Sequence, residues 1–94
     1  MFSFLFALGK HYIKHPGACR TPDDGMGTYY EQFVTNKNEC KYKCDNHIGC
    51  TAYESNGLTY CEIHIGIIDH SNGDAGEDGK FNCYIRAGNL RNVF

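Results

Sequence analysis

Six cysteines, at positions 19, 40, 44, 50, 61 and 83, fall within a chain of 94 residues. An even number of cysteines spread through so short a sequence reads as three disulfides formed in an oxidising compartment. The competing reading is zinc, which usually shows two close ligand pairs. Here the spacing is Cys40-x3-Cys44-x5-Cys50, then Cys61, with no second tight pair. The histidines at 11, 15, 47, 64 and 70 form no ligand ladder beside the cysteines. Spacing alone leaves fifteen pairings open. Cys40 and Cys44, four residues apart, would leave one face of a helix together. Both could then reach a sheet beneath that face, and they could not easily bond to each other.

The length implies one domain with a modest core and a thin stability margin. Hydrophobic residues make up 41% and aromatics 14%, which argues for a folded chain rather than a disordered one. The formal charge is −2, so no basic surface for phosphate neutralisation is expected. Lys10, Lys14, Lys37, Lys41 and Lys43 are scattered and read as solvated, and nucleic acid is set aside as a partner. No apolar run approaches the ~20 residues of a membrane-spanning helix. Phe2–Leu8 lacks the basic flank of a signal peptide, so a secretory signal is expected to be absent or already removed.

Phe2, Phe4, Phe6 and Leu8 alternate with smaller residues, a strand pattern that ends at Gly9. Residues 10–17 read as a polar linker with a Pro16-Gly17 turn. Thr21–Gly27 is turn-rich, and Tyr29–Val34 is β-favouring. Asn36 with Glu39 suggests a capping box. A helix should follow through Cys40 and Cys44 to about His47, closed by Gly49. Cys50–Glu54 and Leu58–Ile65 form the expected hairpin around Asn56-Gly57, in a type I′ turn. Residues 69–79 form a polar loop, and Phe81–Arg86 a last strand. Three segments follow: 1–18, an apolar strand and linker; 19–87, the disulfide-bounded domain; and 88–94, a tail.

From Cys19 to Cys83 the chain resembles the PAN/apple family. The matching features are a first cysteine and a β segment ending in Phe33-Val34-Thr35. A helix with Cys40-x3-Cys44 follows, then Cys50 before Thr51-Ala52-Tyr53, a hairpin, Cys61 and a final Cys83. The resemblance implies an α+β fold, with one helix packed on an antiparallel sheet. It also implies the pairs Cys19–Cys83, Cys40–Cys61 and Cys44–Cys50. It further implies a non-catalytic module that binds proteins or carbohydrates. The apolar segment before Cys19 departs from the family pattern.

No serine sits in a nucleophile elbow, and oxidised cysteines carry no thiolate chemistry. His47 and His64 read as surface or packed histidines rather than bases. Asp69, Asn72, Asp74, Glu77 and Asp78 supply oxygens suited to calcium, but the EF-hand order is not met, and the loop reads as a solvated acidic surface. No catalytic residue, cofactor or metal is therefore expected. No Asn-x-Ser/Thr sequon occurs. Tyr29, Tyr30, Tyr53 and Tyr60 are candidate ligand-binding aromatics for glycans or cell-surface proteins, against a core-filling role. Phe2, Phe4, Phe6 and Leu8 must bury their side chains somewhere, either in the chain's own sheet or on a neighbour's edge. Lys10 and Lys14 could face the acidic 69–79 loop of another copy. The resulting expectation is a secreted adhesive or structural module that assembles with copies of itself. The alternative is a monomeric module with a glycan or protein ligand.

Overall fold

A computed structural model describes residues 10–87. Among the described residues, seven strands and one helix run in the order β1 (Tyr12–Pro16), β2 (Cys19–Arg20), β3 (Thr28–Phe33), α1 (Lys37–Asp45), β4 (Cys50–Ser55), β5 (Tyr60–Ile65), β6 (His70–Ser71) and β7 (Asn82–Arg86). Five of the strands form an antiparallel sheet in the order β1-β7-β4-β5-β3. The other two, β2 and β6, pair as a short ribbon. The molecule is thus a small disulfide-rich α+β domain. The expected strand at 2–8 and the tail at 88–94 lie outside the described residues.

All six cysteines are oxidised, as Cys19–Cys83, Cys40–Cys61 and Cys44–Cys50. These are the pairs the resemblance implies, and they leave no thiolate for zinc. The helix needs them. Within 38–45 only Cys40 and Cys44 are fully buried, and Tyr42 is turned to solvent. An amphipathic helix normally docks through an apolar stripe. Here two i, i+4 disulfides supply the attachment that the stripe lacks. Val34, Tyr53, Cys61 and Ile63 complete the core on this face, with Tyr12, Ile65 and Tyr84 packed around it.

Reaching Cys44 from β4 requires an irregularity. Register shifts between Cys50 and Ala52, so Thr51 is an extra residue in the strand. In a regular strand Cys50 and Ala52 would share a face. The bulge instead turns Cys50 toward the helix and leaves Ala52 on the opposite side. The Thr51 hydroxyl donates to the carbonyl of Gly66. On that opposite face, Cys19, Ala52, Ile68 and Cys83 form a second small core beneath the ribbon.

Three expectations are corrected. Residues 10–17 contain an edge strand rather than a linker, because Tyr12–Pro16 finds hydrogen-bonding partners in β7, far away in sequence. Asn36 caps the helix as expected, accepting from the amides of Asn38 and Glu39, but the helix stops at Asp45. Asn46 ends it by directing both its backbone and side-chain N–H groups to the Tyr42 carbonyl. Gly49 serves the following turn, where the Cys50 amide reaches the His47 carbonyl. Finally, the β4–β5 connection is not type I′. Gly57 alone in it has positive φ, and the Asn56 side chain accepts from the amides of Leu58 and Tyr60, so β5 begins at Tyr60.

Candidate binding surface

The four candidate tyrosines do not share one platform. Alternation along the strands sends Tyr30 and Tyr53 to the helix side and Tyr29 and Tyr60 to the other. Tyr30 is half exposed and stacks on His47, at 5.6 Å between ring centroids. Tyr29 lies against His64. Tyr60 meets Phe81 edge-on and donates its hydroxyl to Glu62. Tyr53 is largely core, 6% exposed.

Around Tyr53, however, the fold assembles a site. Tyr53 stacks on Tyr84 at 4.6 Å and 9°, and Tyr12 meets it edge-on at 4.9 Å. Asn38 and Lys41 from α1, Tyr53 and Ser55 from β4, and Tyr84 from β7 line a cleft of about 150 Å³. Burial pushes the phenols of Tyr53 and Tyr84 above the ordinary tyrosine value, and neither hydroxyl has a protein hydrogen-bond partner among the described residues. The Ser55 oxygen accepts from the Gly57 amide, which leaves its O–H to donate. The Lys41 ammonium is paired to Asp45 at 2.8 Å. Tyr12 donates to the other Asp45 oxygen at 2.7 Å.

The opposite face carries a buried polar group. Glu54, Glu62 and His64 are all less than a tenth exposed. His64 Nε2 lies 3.0 Å from Glu62 Oε1 and 3.9 Å from Glu54 Oε1, while Nδ1 has no partner. Burial raises the Glu54 carboxyl despite a hydrogen bond from the Cys19 amide, and the nearby Glu62 adds to the rise. Burial also pulls Glu62 upward, but hydrogen bonds from His64 and Tyr60 outweigh it and hold Glu62 below the usual glutamate range. The Cys19 sulfur lies within 4.8 Å of the Glu54 and His64 ligand atoms, but it is bonded to Cys83 and cannot act as a thiolate donor. Sealed from solvent, His64 cannot meet a substrate in this conformation. His47 is occupied by Tyr30 and the Ile48 carbonyl.

The acidic loop uses its side chains on itself. Asn72 accepts from the amides of Ala18 and Asp74, Asp74 from Gly76 and Asp78 from Lys80. Asp69 and Asp24 clasp His70, and these hydrogen bonds raise its imidazole above the ordinary value. Within the chain, the Lys10 ammonium donates to the Asp45 carbonyl.

The outer edge of the sheet at β3 is the other notable surface. Its backbone pairs with β5 on one side and with nothing on the other among the described residues. Tyr30 and Phe33 stand exposed on it, Phe33 at 82%. Sequence reasoning missed Asn38, Lys41, Ser55 and Tyr84 as partners of Tyr53, and Phe33 as an exposed edge residue. Only the Asn-x-x-Lys spacing on one helix face hinted at the first two. No helix among the described residues is long and apolar enough to cross a membrane. No family model, curated protein or solved structure matches this chain.

Proposed function

We propose that the chain is a non-catalytic extracellular module of the PAN/apple kind. It serves as a structural subunit that joins copies of itself by adding residues 2–8 of one chain to the β3 edge of the next. Three disulfides in so small a domain favour an oxidising compartment outside the cell. The observation that carries the assembly reading is the open β3 edge. Among the described residues, Thr28–Phe33 presents a row of unpaired backbone groups with only Glu31 as a charge and no proline. Protein edges left this open are templates for strand addition.

The sheet order adds a direction. Residues 2–8 lead into β1, which is the edge opposite β3. Crossing from one edge to the other spans four inter-strand spacings, about 19 Å. Gly9, Lys10 and His11 extend about 10 Å at most. That span favours delivery of residues 2–8 to a neighbour's β3 over the chain's own. Such a head-to-tail joint propagates into a ring or filament.

The test is the particle mass of the purified full chain by light scattering with negative-stain imaging. The expected result is large regular polymers of the 10.6 kDa chain, which fall to monomers of the shortened chain on deletion of residues 1–9. Phe4→Asp with Phe6→Asp on the donor, or Tyr30→Lys with Phe33→Lys on the acceptor, should have the same effect. A monomeric wild-type chain at high concentration would overturn the reading. So would polymers that survive both pairs of substitutions.

A further inference from the structure

We propose that Glu54, Glu62 and His64 form a binding site for a single divalent cation of the zinc type, a structural brace between β4, β5 and the ribbon. The proposal does not depend on the assembly reading, which concerns residues 2–8 and the β3 edge. It rests on three donors placed on one face of the sheet. Glu54 and Glu62 are register partners on β4 and β5, and His64 follows Glu62 by two residues, on the same side. His64 Nε2 stands 3.0 Å from Glu62 Oε1 and 3.9 Å from Glu54 Oε1. A zinc ion about 2.0–2.2 Å from each donor would space its ligands by about 3.0–3.6 Å. Each carboxylate is also oriented from outside the trio, Glu54 by the Cys19 amide and Glu62 by the Tyr60 hydroxyl. Outer hydrogen bonds of this kind hold metal ligands in place.

Charge and burial point the same way. The two carboxylates are 7% and 4% exposed, and among the described residues their only ion-pair partner is His64. The Arg20 guanidinium donates to the Cys19 carbonyl instead. Carboxylates taken out of water need a matching charge, which a divalent cation supplies. His64 is 1% exposed and has no partner at Nδ1. The ring proton can therefore sit at Nδ1 while Nε2 gives its lone pair to the metal. Calcium takes about six to eight oxygens and magnesium keeps a shell of water, whereas this space is sealed and offers a nitrogen. An imidazole with two carboxylates suits zinc. Because the trio is sealed, the cation would enter as the chain folds.

The test titrates the oxidised full chain, cleared of metal with a chelator, with Zn²⁺ and separately with Co²⁺. The cation is also supplied during oxidative refolding, so that slow entry to a buried site does not hide binding. The expected result is one Zn²⁺ per chain by calorimetry and a raised thermal midpoint in its presence. Co²⁺ should show the visible bands of a low-coordinate site without thiolate charge transfer, since every cysteine is oxidised. Glu54→Gln and Glu62→Gln, which keep side-chain shape, should each weaken zinc by about tenfold or more. His64→Gln should abolish the cobalt bands. Circular dichroism verifies that each variant folds, and the two glutamate variants decide if His64→Gln does not. His70→Ala, at the exposed cluster with Asp24 and Asp69, should leave binding unchanged. Four outcomes overturn the proposal: no zinc retained by either route, an affinity insensitive to both glutamate variants, binding lost with His70→Ala, or Ca²⁺ bound as tightly as Zn²⁺.

Discussion

The Glu54 carboxylate accepts the backbone amide of Cys19 at 3.0 Å, with both residues buried. This bond fastens the β2–β6 ribbon to the central strand of the sheet, beside the Cys19–Cys83 disulfide. Glu54→Leu strands the buried amide and should cost about 1–3 kcal/mol. Glu54→Gln keeps an acceptor, and its effect should depend on pH. The native carboxyl is held above its unfolded value by burial. The folded state therefore binds more protons between the two values, and stability falls as pH rises through that window. At pH 7 Glu54→Gln should be as stable as wild type or more so. At pH 4, where wild type gains its proton, that advantage should shrink. Urea midpoints at the two pH values decide it, and a Gln variant that is weaker at pH 7 than at pH 4, relative to wild type, would count against this account.

Gly17 occupies positive φ (+102°) where a Cβ would stand 2.2 Å from the Asn72 side-chain oxygen and 2.6 Å from the Asp74 amide. The latter is backbone and cannot swing aside. Gly17→Ala should destabilise by roughly 2–4 kcal/mol, combining the φ penalty with loop displacement. Thermal unfolding measures the loss. A shift under 1 °C would mean that the 72–74 loop yields freely.

The disulfides close loops of very different length, with sequence separations of 64, 21 and 6. In the chain-entropy model these restrict the unfolded state by about 4, 3 and 2 kcal/mol respectively. Paired Cys→Ser variants should therefore rank in stability loss as Cys19/Cys83, then Cys40/Cys61, then Cys44/Cys50. Because α1 has almost no apolar stripe, the Cys40/Cys61 pair should also reduce helical signal in circular dichroism. If the shortest loop proved the costliest to open, docking of the helix would outweigh loop entropy.

Burial, together with the hydrogen bond to Asp45, raises the Tyr12 phenol well above its ordinary value. The native state then holds this proton at a pH where the unfolded chain has lost it. Stability should decline as pH climbs past about 10, the unfolded value. Tyr12→Phe removes the bond to Asp45 and should cost about 1 kcal/mol at pH 7. It should also flatten the alkaline decline. Phenolate absorbance at 295 nm, followed alongside circular dichroism, tests both. Ionisation of Tyr12 ahead of unfolding would contradict the buried assignment.

Much of the fold was legible because its signals are local. Asn36 announced the helix start, since a side-chain oxygen on the amides two and three residues on needs no partner from elsewhere. The β character of residues 29–33 and 50–54 followed from side-chain shape. The β1 strand was not legible, because Tyr12–Pro16 is ordered by β7, some seventy residues further along. The candidate aromatics were identified as a class, but their grouping was not. Strand alternation separates Tyr29 from Tyr30, and only the pairing of β4 with β7 sets Tyr84 against Tyr53.

By itself the sequence determined the oxidised state of the cysteines, the helix through Cys40 and Cys44, the turn-rich loops and the slightly acidic net charge, all consequences of composition and near-neighbour chemistry. The tertiary structure alone decided the Thr51 bulge that turns Cys50 toward Cys44, the placement of β3 at the edge of the sheet among the described residues, the burial of Glu54, Glu62 and His64, and the cleft at Tyr53. Each of these depends on which strands become neighbours. Register between distant segments is set by the combined burial of both sheet faces, and no window of adjacent residues contains that information.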